Sequence, residues 1–164
     1  MKQFLLLFGF LISANSFYAQ DMNNEELHKV ILEMSDSIEG ELGHWSFLIN
    51  GIPLYCISDV NHNRMRIISP IAEMKDLKKE HKEMALKANF HSALDVRYAE
   101  SDGIMWVAFI HPLKELNNEQ VKDAIKQVFA GAVTFGTTYT STDLVFPGSG
   151  GEEPKEKEEE IERS

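Results

Sequence analysis

The chain has 164 residues, a formal net charge of −10 at pH 7 and a single cysteine. This length fits one domain with extensions at its ends. The acidic balance argues against a surface for nucleic acid or for an anionic membrane, because both are negatively charged. Since Cys56 has no second cysteine to pair with, no internal disulfide can form. A small buried residue on a strand is the usual role of such a cysteine.

Residues 1–20 have the pattern of a secretory signal peptide. Lys2 supplies the positive charge, residues 4–12 form an apolar run, and a short polar stretch with small residues follows. The run is too short to span a bilayer. Cleavage after Ser16 and cleavage after Ala19 both fit the sequence. Because no cysteine for lipid attachment lies nearby, we predict a periplasmic or secreted protein that is not inserted in the membrane after removal of the signal.

The C-terminus has the composition of a linker followed by a solvated tail. Residues 148–151 read Gly-Ser-Gly-Gly, and residues 152–164 hold seven glutamates against three cationic side chains. Such composition predicts a flexible linker and an acidic disordered tail. The folded domain is then expected over residues 21–147. Removing Lys2 with the signal changes the charge from −10 to −11, the tail accounts for −4, and the domain keeps about −7.

The domain is predicted to begin with an amphipathic helix over residues 24–39. Apolar residues recur at intervals of three to four positions, as on one helix face: Leu27, Val30, Ile31, Met34 and Ile38. Asn23 or Asn24 can cap the start of the helix, and Gly40 can close its end. Such a helix either covers a sheet of its own domain, which is the commoner case, or binds the groove of a partner.

Three strands are predicted to follow as a meander. Asn50-Gly51 is typical of a tight hairpin turn, so strands 45–50 and 52–58 should pair antiparallel. A looser turn over residues 59–63 leads to a third strand, 64–68. The dipeptide Ser69-Pro70 is expected to end this strand.

The second half of the domain reads as helix, hairpin, helix. A helix is predicted over residues 71–89, followed by a hairpin of strands 94–100 and 104–110. The second of these strands is apolar at every position, which predicts that both its faces are covered, by helices or by another subunit. The last helix has a clear start, with Asn117 as N-cap and Gln120 three positions later.

The order α-β-β-β-α-β-β-α resembles the type III secretion chaperone-like fold, and within it the YbjN-like domains. The resemblance is carried by residues 45–50, the turn 59–63, Arg64-Met65-Arg66 and Ser69-Pro70-Ile71. It implies an α+β domain with a five-stranded antiparallel sheet in the order 1-2-3-5-4, helices packed on the sheet, and often a homodimer. YbjN-like domains lack an established enzymatic activity, so the resemblance implies a shape and not a reaction.

No catalytic or metal-binding motif is present in the sequence. The six histidines form none of the short spacings that bind zinc, and no phosphate loop or nucleophile elbow occurs. We therefore predict a protein that is not an enzyme, with no metal and no cofactor. An alternative remains: a metal- or small-anion-binding envelope protein, or an enzyme, that uses His81, His91, Arg64 and Arg66. His81 falls within an apolar helix stripe, where a core or interface role is more common.

The favoured interpretation is an exported, non-catalytic binding module of chaperone-like kind that engages a peptide or protein segment. The module would bind this segment by strand addition at an exposed sheet edge formed by strand 45–50. The residues predicted to bind the partner are Trp45, Leu48, Arg64 and Arg66. For Trp45, packing in the core or a dimer is the commoner role. For the two arginines, which share one face of a strand, pairing with Asp95 or Glu100 is commoner than binding a carboxylate or phosphate.

A third interpretation is a structural or solubilising envelope component that has no partner. Such a component would show no partner, and its phenotype would be independent of Arg64 and Arg66.

Overall fold

The computed structural model describes residues 21–142. The predicted signal peptide, the linker and acidic tail, and residues 143–147 of the predicted domain lie outside the described residues. The elements in chain order are α1 (Asn24–Met34), β1 (Ser37–Glu41), β2 (His44–Ile49), β3 (Ile52–Asp59), β4 (Arg64–Glu73), a 3-10 turn (Met74–Asp76), α2 (Lys79–His91), β5 (Arg97–Ser101), β6 (Ile104–His111) and α3 (Asn118–Thr134).

All six strands belong to one antiparallel sheet in the order β1-β2-β3-β4-β6-β5. The prediction of an α+β domain is confirmed, but the prediction of five strands was wrong. The five expected strands, β2 to β6, do follow the implied order 1-2-3-5-4 among themselves. The sixth strand, β1, extends the sheet beyond β2.

The additional strand comes from residues that the sequence assigned to the first helix. α1 ends at Met34, and residues 37–41 pair with β2 in a register that runs from Ser37 opposite Leu48 to Glu41 opposite His44. Gly40 does not close a helix. It lies in β1 with φ +108°, where a Cβ atom would come within 2.2 Å of the His44 carbonyl oxygen. Only glycine fits this close approach of the two strands.

β4 is longer than predicted, and α2 starts later. The strand continues through Pro70 to Glu73 instead of ending at Ser69-Pro70, and α2 occupies Lys79–His91 instead of residues 71–89. The pairing of β4 with β6 shifts register between Pro70 and Ala72. A proline is tolerated next to such an irregularity because the ladder there does not need its missing N–H.

The core lies between one face of the sheet and the helices α1 and α3, while α2 packs beside β5. The side chains that fill it alternate along the strands with exposed ones. The largest fully buried ones on the strands are Phe47, Leu54, Met65, Ile67 and Val107. Helix α3 lies very close to β6, since a Cβ added at Gly131 would be 2.8 Å from a Val107 methyl group. Within residues 21–142, no helix has the length and apolar character needed to cross a membrane.

Candidate interaction surfaces

The two edges of the sheet differ in their hydrogen bonding. The turn between β1 and β2 has two residues, Leu42 and Gly43, so Glu41 and His44 form a hydrogen-bonded pair. Alternate residues of β1 then direct their N–H and C=O groups away from β2. These are Ile38 and Gly40, and no hydrogen bond to their outward groups occurs within residues 21–142. The β1 edge therefore offers free main-chain donors and acceptors.

The opposite edge, at β5, is occupied at one of its two outward-facing residues, Tyr98, by a side chain from α2. Hydrogen-bonded and non-hydrogen-bonded pairs alternate in the same way along β5, starting from the turn at Asp102-Gly103. By this alternation the N–H and C=O groups of Tyr98 point away from β6. Tyr98 N–H donates to Oδ1 of Asn89 at 2.7 Å, and Nδ2 of Asn89 donates to the Tyr98 carbonyl oxygen at 3.0 Å. One amide thus satisfies both groups that an added strand would need at this position.

The face of the sheet opposite α1 and α3 is not covered by any element of residues 21–142. We call it the open face. Its side chains alternate with the buried ones along each strand and are mainly apolar: Leu48, Tyr55, Ile57, Ile68, Trp106 and Ile110, with Arg64 and Arg66 among them. Ile110 is 63% exposed. Helices cover only one face of strand 104–110, on which Met105, Val107 and Phe109 are buried, so the predicted cover of its other face stays a prediction of a second subunit.

A shallow depression of about 460 Å³ lies on the open face and reaches the β1 edge. Glu39 and Gly40 line one end of it, while Tyr55 and Trp106 line the other part with their rings edge to face at a centroid distance of 6.5 Å. The free edge and the apolar face are thus parts of one continuous surface.

A larger cleft of about 680 Å³ lies between β5, β6 and the start of α3. The polar groups of this cleft form hydrogen bonds with neighbouring groups of the protein. Gln127 Nε2 donates to Asp95 at 3.1 Å and to Asp123 at 2.7 Å, and Arg97 donates to main-chain carbonyl oxygens of Leu94 and Val96. This pattern holds the loop before β5 against α3 and leaves none of these groups aimed at a ligand.

Trp45 and Leu48, both predicted to bind a partner, point to opposite faces of β2. Trp45 is 3% exposed, and its indole N–H donates to Nδ1 of His28 on α1 at 3.1 Å. Leu48 is 39% exposed and lies on the open face. The prediction that strand 45–50 forms a sheet edge was wrong. β1 pairs with this strand on its outer side and is the edge strand instead.

Arg64 and Arg66 share the open face, as the alternation of β4 predicted. Arg64 donates to the carbonyl oxygen of Asn63 at 2.9 Å, and Arg66 has no hydrogen bond or ion pair within residues 21–142. The expected pairing with Asp95 or Glu100 does not occur. Asp95 contacts Gln127, and Glu100 accepts from the N–H of Gly103 at 3.1 Å.

His81 and His91 lie on α2, apart from the arginines. The ring of His81 packs edge to face on Phe135 at 6.2 Å, and its buried Nδ1 has no hydrogen-bond partner within residues 21–142. His91 packs against Phe90 at 4.9 Å. Phe135 contacts Tyr98 on the covered side of the sheet, so His81 and the arginines of the open face do not form one site. No cluster of three or more metal-ligating side chains occurs in the described part of the chain.

The thiol of Cys56 is enclosed in the core. Its side chain is fully buried on β3, in agreement with the role predicted for it. Burial raises the pKa of the Cys56 thiol far above its ordinary value, because the thiolate would lose its hydration. A thiol in this state is a poor nucleophile and a poor metal ligand.

Solved structures with the same architecture are known, although neither a family model nor a curated protein matches the sequence. A chain of the HopA1–SchA chaperone–effector complex is 14% identical, with a TM-score of 0.52, and the match covers 70% of this chain and 89% of that one. A chain of the Yersinia pestis type III secretion chaperone SycH in complex with a stable fragment of YscM2 is 17% identical. Its TM-score is 0.51, and the match covers 68% of this chain and 98% of that one. The domain therefore has the type III secretion chaperone-like fold that the sequence resemblance implied.

Proposed function

We propose that this protein is an exported, non-catalytic module that binds an extended polypeptide segment by strand addition at β1. The observation that carries the proposal is the asymmetry of the sheet edges. Within residues 21–142 the outward main-chain groups of Ile38 and Gly40 have no hydrogen-bond partner, whereas those of Tyr98 are bonded to Asn89. An unpaired edge is a template for another strand, and a protein that blocks one edge leaves the other for such pairing.

The comparisons support this proposal at the level of fold. Both similar structures are complexes, one of a chaperone with an effector and the other of a chaperone with a fragment of another protein. The export component rests on the signal-like pattern of residues 1–20. The non-catalytic component rests on the inert Cys56 and on the separation of His81 from the arginines.

We also propose that the open face pairs with a second copy of the chain. The face is apolar across four strands, and Arg66 on it has no partner within residues 21–142. Pairing of two copies through their edges is disfavoured, because β5 is blocked at Tyr98 and because β1 would bring acidic side chains of the two copies together. The open face presents a continuous set of apolar side chains from four strands, which is the composition of a dimer interface.

Strand addition can be tested by a substitution that changes only the outward side of β1. Ile38→Pro removes the outward N–H of residue 38 and leaves the hydrogen bonds to β2 intact. Ile38→Ala is the matched control, because it removes the same side-chain contacts and keeps the N–H. Linear peptides selected from a random display library on the wild-type protein should bind the alanine variant, and should bind the proline variant about tenfold more weakly.

Two results would contradict strand addition. One is a library that yields no binding peptide. The other is a set of peptides that bind the Ile38→Pro and Ile38→Ala variants equally well, because such peptides would not use the main chain of β1. A Leu48→Pro variant is unsuitable for this test, since the N–H of Leu48 is directed to β1 and its loss would break the β1–β2 ladder itself.

A further inference from the structure

The side chains of β1 define two different rows beside its free edge. In the register with β2, Ile38 lies opposite Phe47 and Gly40 opposite Trp45, and both of these β2 residues are buried on the helix side. Glu39 lies opposite Ser46 on the other side of the strand, the open-face side. Because side chains of paired strands point to the same face at each position, an added strand would meet the same two rows.

The row on the open-face side is acidic and unpaired. Glu39 and Glu41 are both exposed, and neither has an ion pair or a side-chain hydrogen bond within residues 21–142. Their cross-strand neighbours on β2 are Ser46 and His44. The preceding carboxylate, Asp36, is already used, since it accepts from the N–H of Asn50 at 2.6 Å. Two carboxylates at alternate positions therefore face the space that an added strand would fill.

The row on the helix side is apolar, and it lacks a side chain at Gly40. Ile38 is half-buried and packs on the core, and Gly40 has no side chain beside the buried Trp45. A residue of an added strand opposite these positions would contact hydrocarbon and the edge of an indole instead of a charge. This side of the edge therefore favours an apolar side chain in the partner.

We propose that the segment bound at β1 alternates apolar residues with lysine or arginine. Its apolar side chains would lie beside Ile38 and Gly40, and its cationic side chains would lie beside Glu39 and Glu41. This inference rests on the proposed strand addition and names the class of segment that would use it. A second copy of β1 does not fit this description, because it would place carboxylates against carboxylates on the open-face side.

The inference can be tested with three short synthetic peptides of equal length. Each has valine at alternate positions, and the remaining positions are all lysine, all glutamate or all serine. Each opposite-charge pair across two strands should strengthen binding by about 1.4- to 5-fold, so two pairs give about 2- to 30-fold for lysine over serine. The glutamate peptide should bind more weakly than the serine peptide. Added salt should reduce these differences, because the pairs are exposed.

Matched variants of the full chain assign the preference to the edge. Glu39→Gln combined with Glu41→Gln should remove the preference for lysine. Asp76→Asn combined with Glu80→Gln changes the net charge equally near the start of α2, and should retain the preference. Peptides that bind in a manner sensitive to Ile38→Pro but without a charge preference would overturn the inference and leave strand addition standing. A lysine preference that survives loss of Glu39 and Glu41 would also overturn it.

Discussion

The side-chain amide of Asn89 makes two hydrogen bonds with the main chain of Tyr98, one to its N–H and one to its carbonyl oxygen. The pair of contacts reproduces what a neighbouring strand would make at that position of β5. Because these bonds come from α2, the helix that packs beside β5 also blocks the sheet edge at this residue. The edge at β1 has no such device within residues 21–142.

We expect Asn89→Ala to expose the β5 edge. The variant should lose about 1–3 kcal/mol in the free energy of unfolding, because two half-buried main-chain groups lose their partners. It should also self-associate in proportion to protein concentration, because the edge becomes free to pair. Denaturant titration and sedimentation measure the two effects. Asn61→Ala, in an exposed turn, is the control and should show neither effect.

The buried hydroxyl of Tyr98 predicts a dependence of stability on alkaline pH. Burial raises the pKa of Tyr98 from 10.0 to about 12, and the hydroxyl donates to the carbonyl oxygen of Gly131 at 2.9 Å. The folded state therefore holds its proton where the unfolded state has lost it. Stability from this group is therefore complete below pH 10 and is lost as the pH rises towards about 12.

The test compares wild type with Tyr98→Phe. The variant should be less stable by about 1 kcal/mol at pH 8, because a hydrogen bond is lost, and should become the more stable of the two as the pH approaches 12. Tyr55→Phe, on the open face, should follow the wild type. A constant difference between wild type and Tyr98→Phe from pH 8 to 12 would contradict the assigned role of burial.

We expect Gly131→Ala to destabilise the protein although alanine favours helix. A Cβ at this position would lie 2.8 Å from Val107 Cγ2, so α3 would have to move away from β6. Overpacking of this kind costs about 1–3 kcal/mol, which exceeds the gain of up to about 1 kcal/mol in helix propensity. Thermal unfolding measures the balance. In a double-mutant cycle, Gly131→Ala should cost less in a Val107→Ala background than in the wild type, because the clash is relieved there, and an equal cost in the two backgrounds would exclude that contact as the cause.

The proposed dimer predicts that a charge on the open face reduces association. Ile110→Lys places an ammonium group on the open face opposite Arg66 of β4, and should weaken dimerisation at least tenfold because the charge must be desolvated there beside another cation. Leu86→Lys is the control, since Leu86 is exposed on α2 away from this face. Sedimentation over a range of concentrations measures both. Dissociation by Leu86→Lys alone would place the interface on α2 instead.

The sequence predicted the elements whose signals are local. The turns at Asn50-Gly51 and at Gly103 were found because positive-φ positions require particular residues, and the start of α3 was found because its capping box is complete. The position of β6 inside the sheet was implied by the family resemblance, and its apolar run is consistent with that position.

The missed elements are those with ambiguous patterns. Ile38 fits the spacing of the α1 stripe and equally fits a half-buried strand, so periodicity did not locate the end of the helix. The two glycines at positions 40 and 43 were the available signal for a hairpin. Asn89 gave no signal at all, since a side chain that bonds to a distant strand is visible only once the tertiary structure is known.

The two tryptophans lie on opposite sides of the same sheet. Trp45 is sealed beneath α1, whereas Trp106 lines the open depression beside Tyr55. Their emission should therefore separate two events in one sample: the signal of Trp45 changes when the molecule unfolds, and that of Trp106 changes when something covers the sheet. Trp45→Phe and Trp106→Phe each leave one indole in the protein. Each variant therefore carries an intrinsic fluorescent reporter of one of the two events, and no external dye is needed.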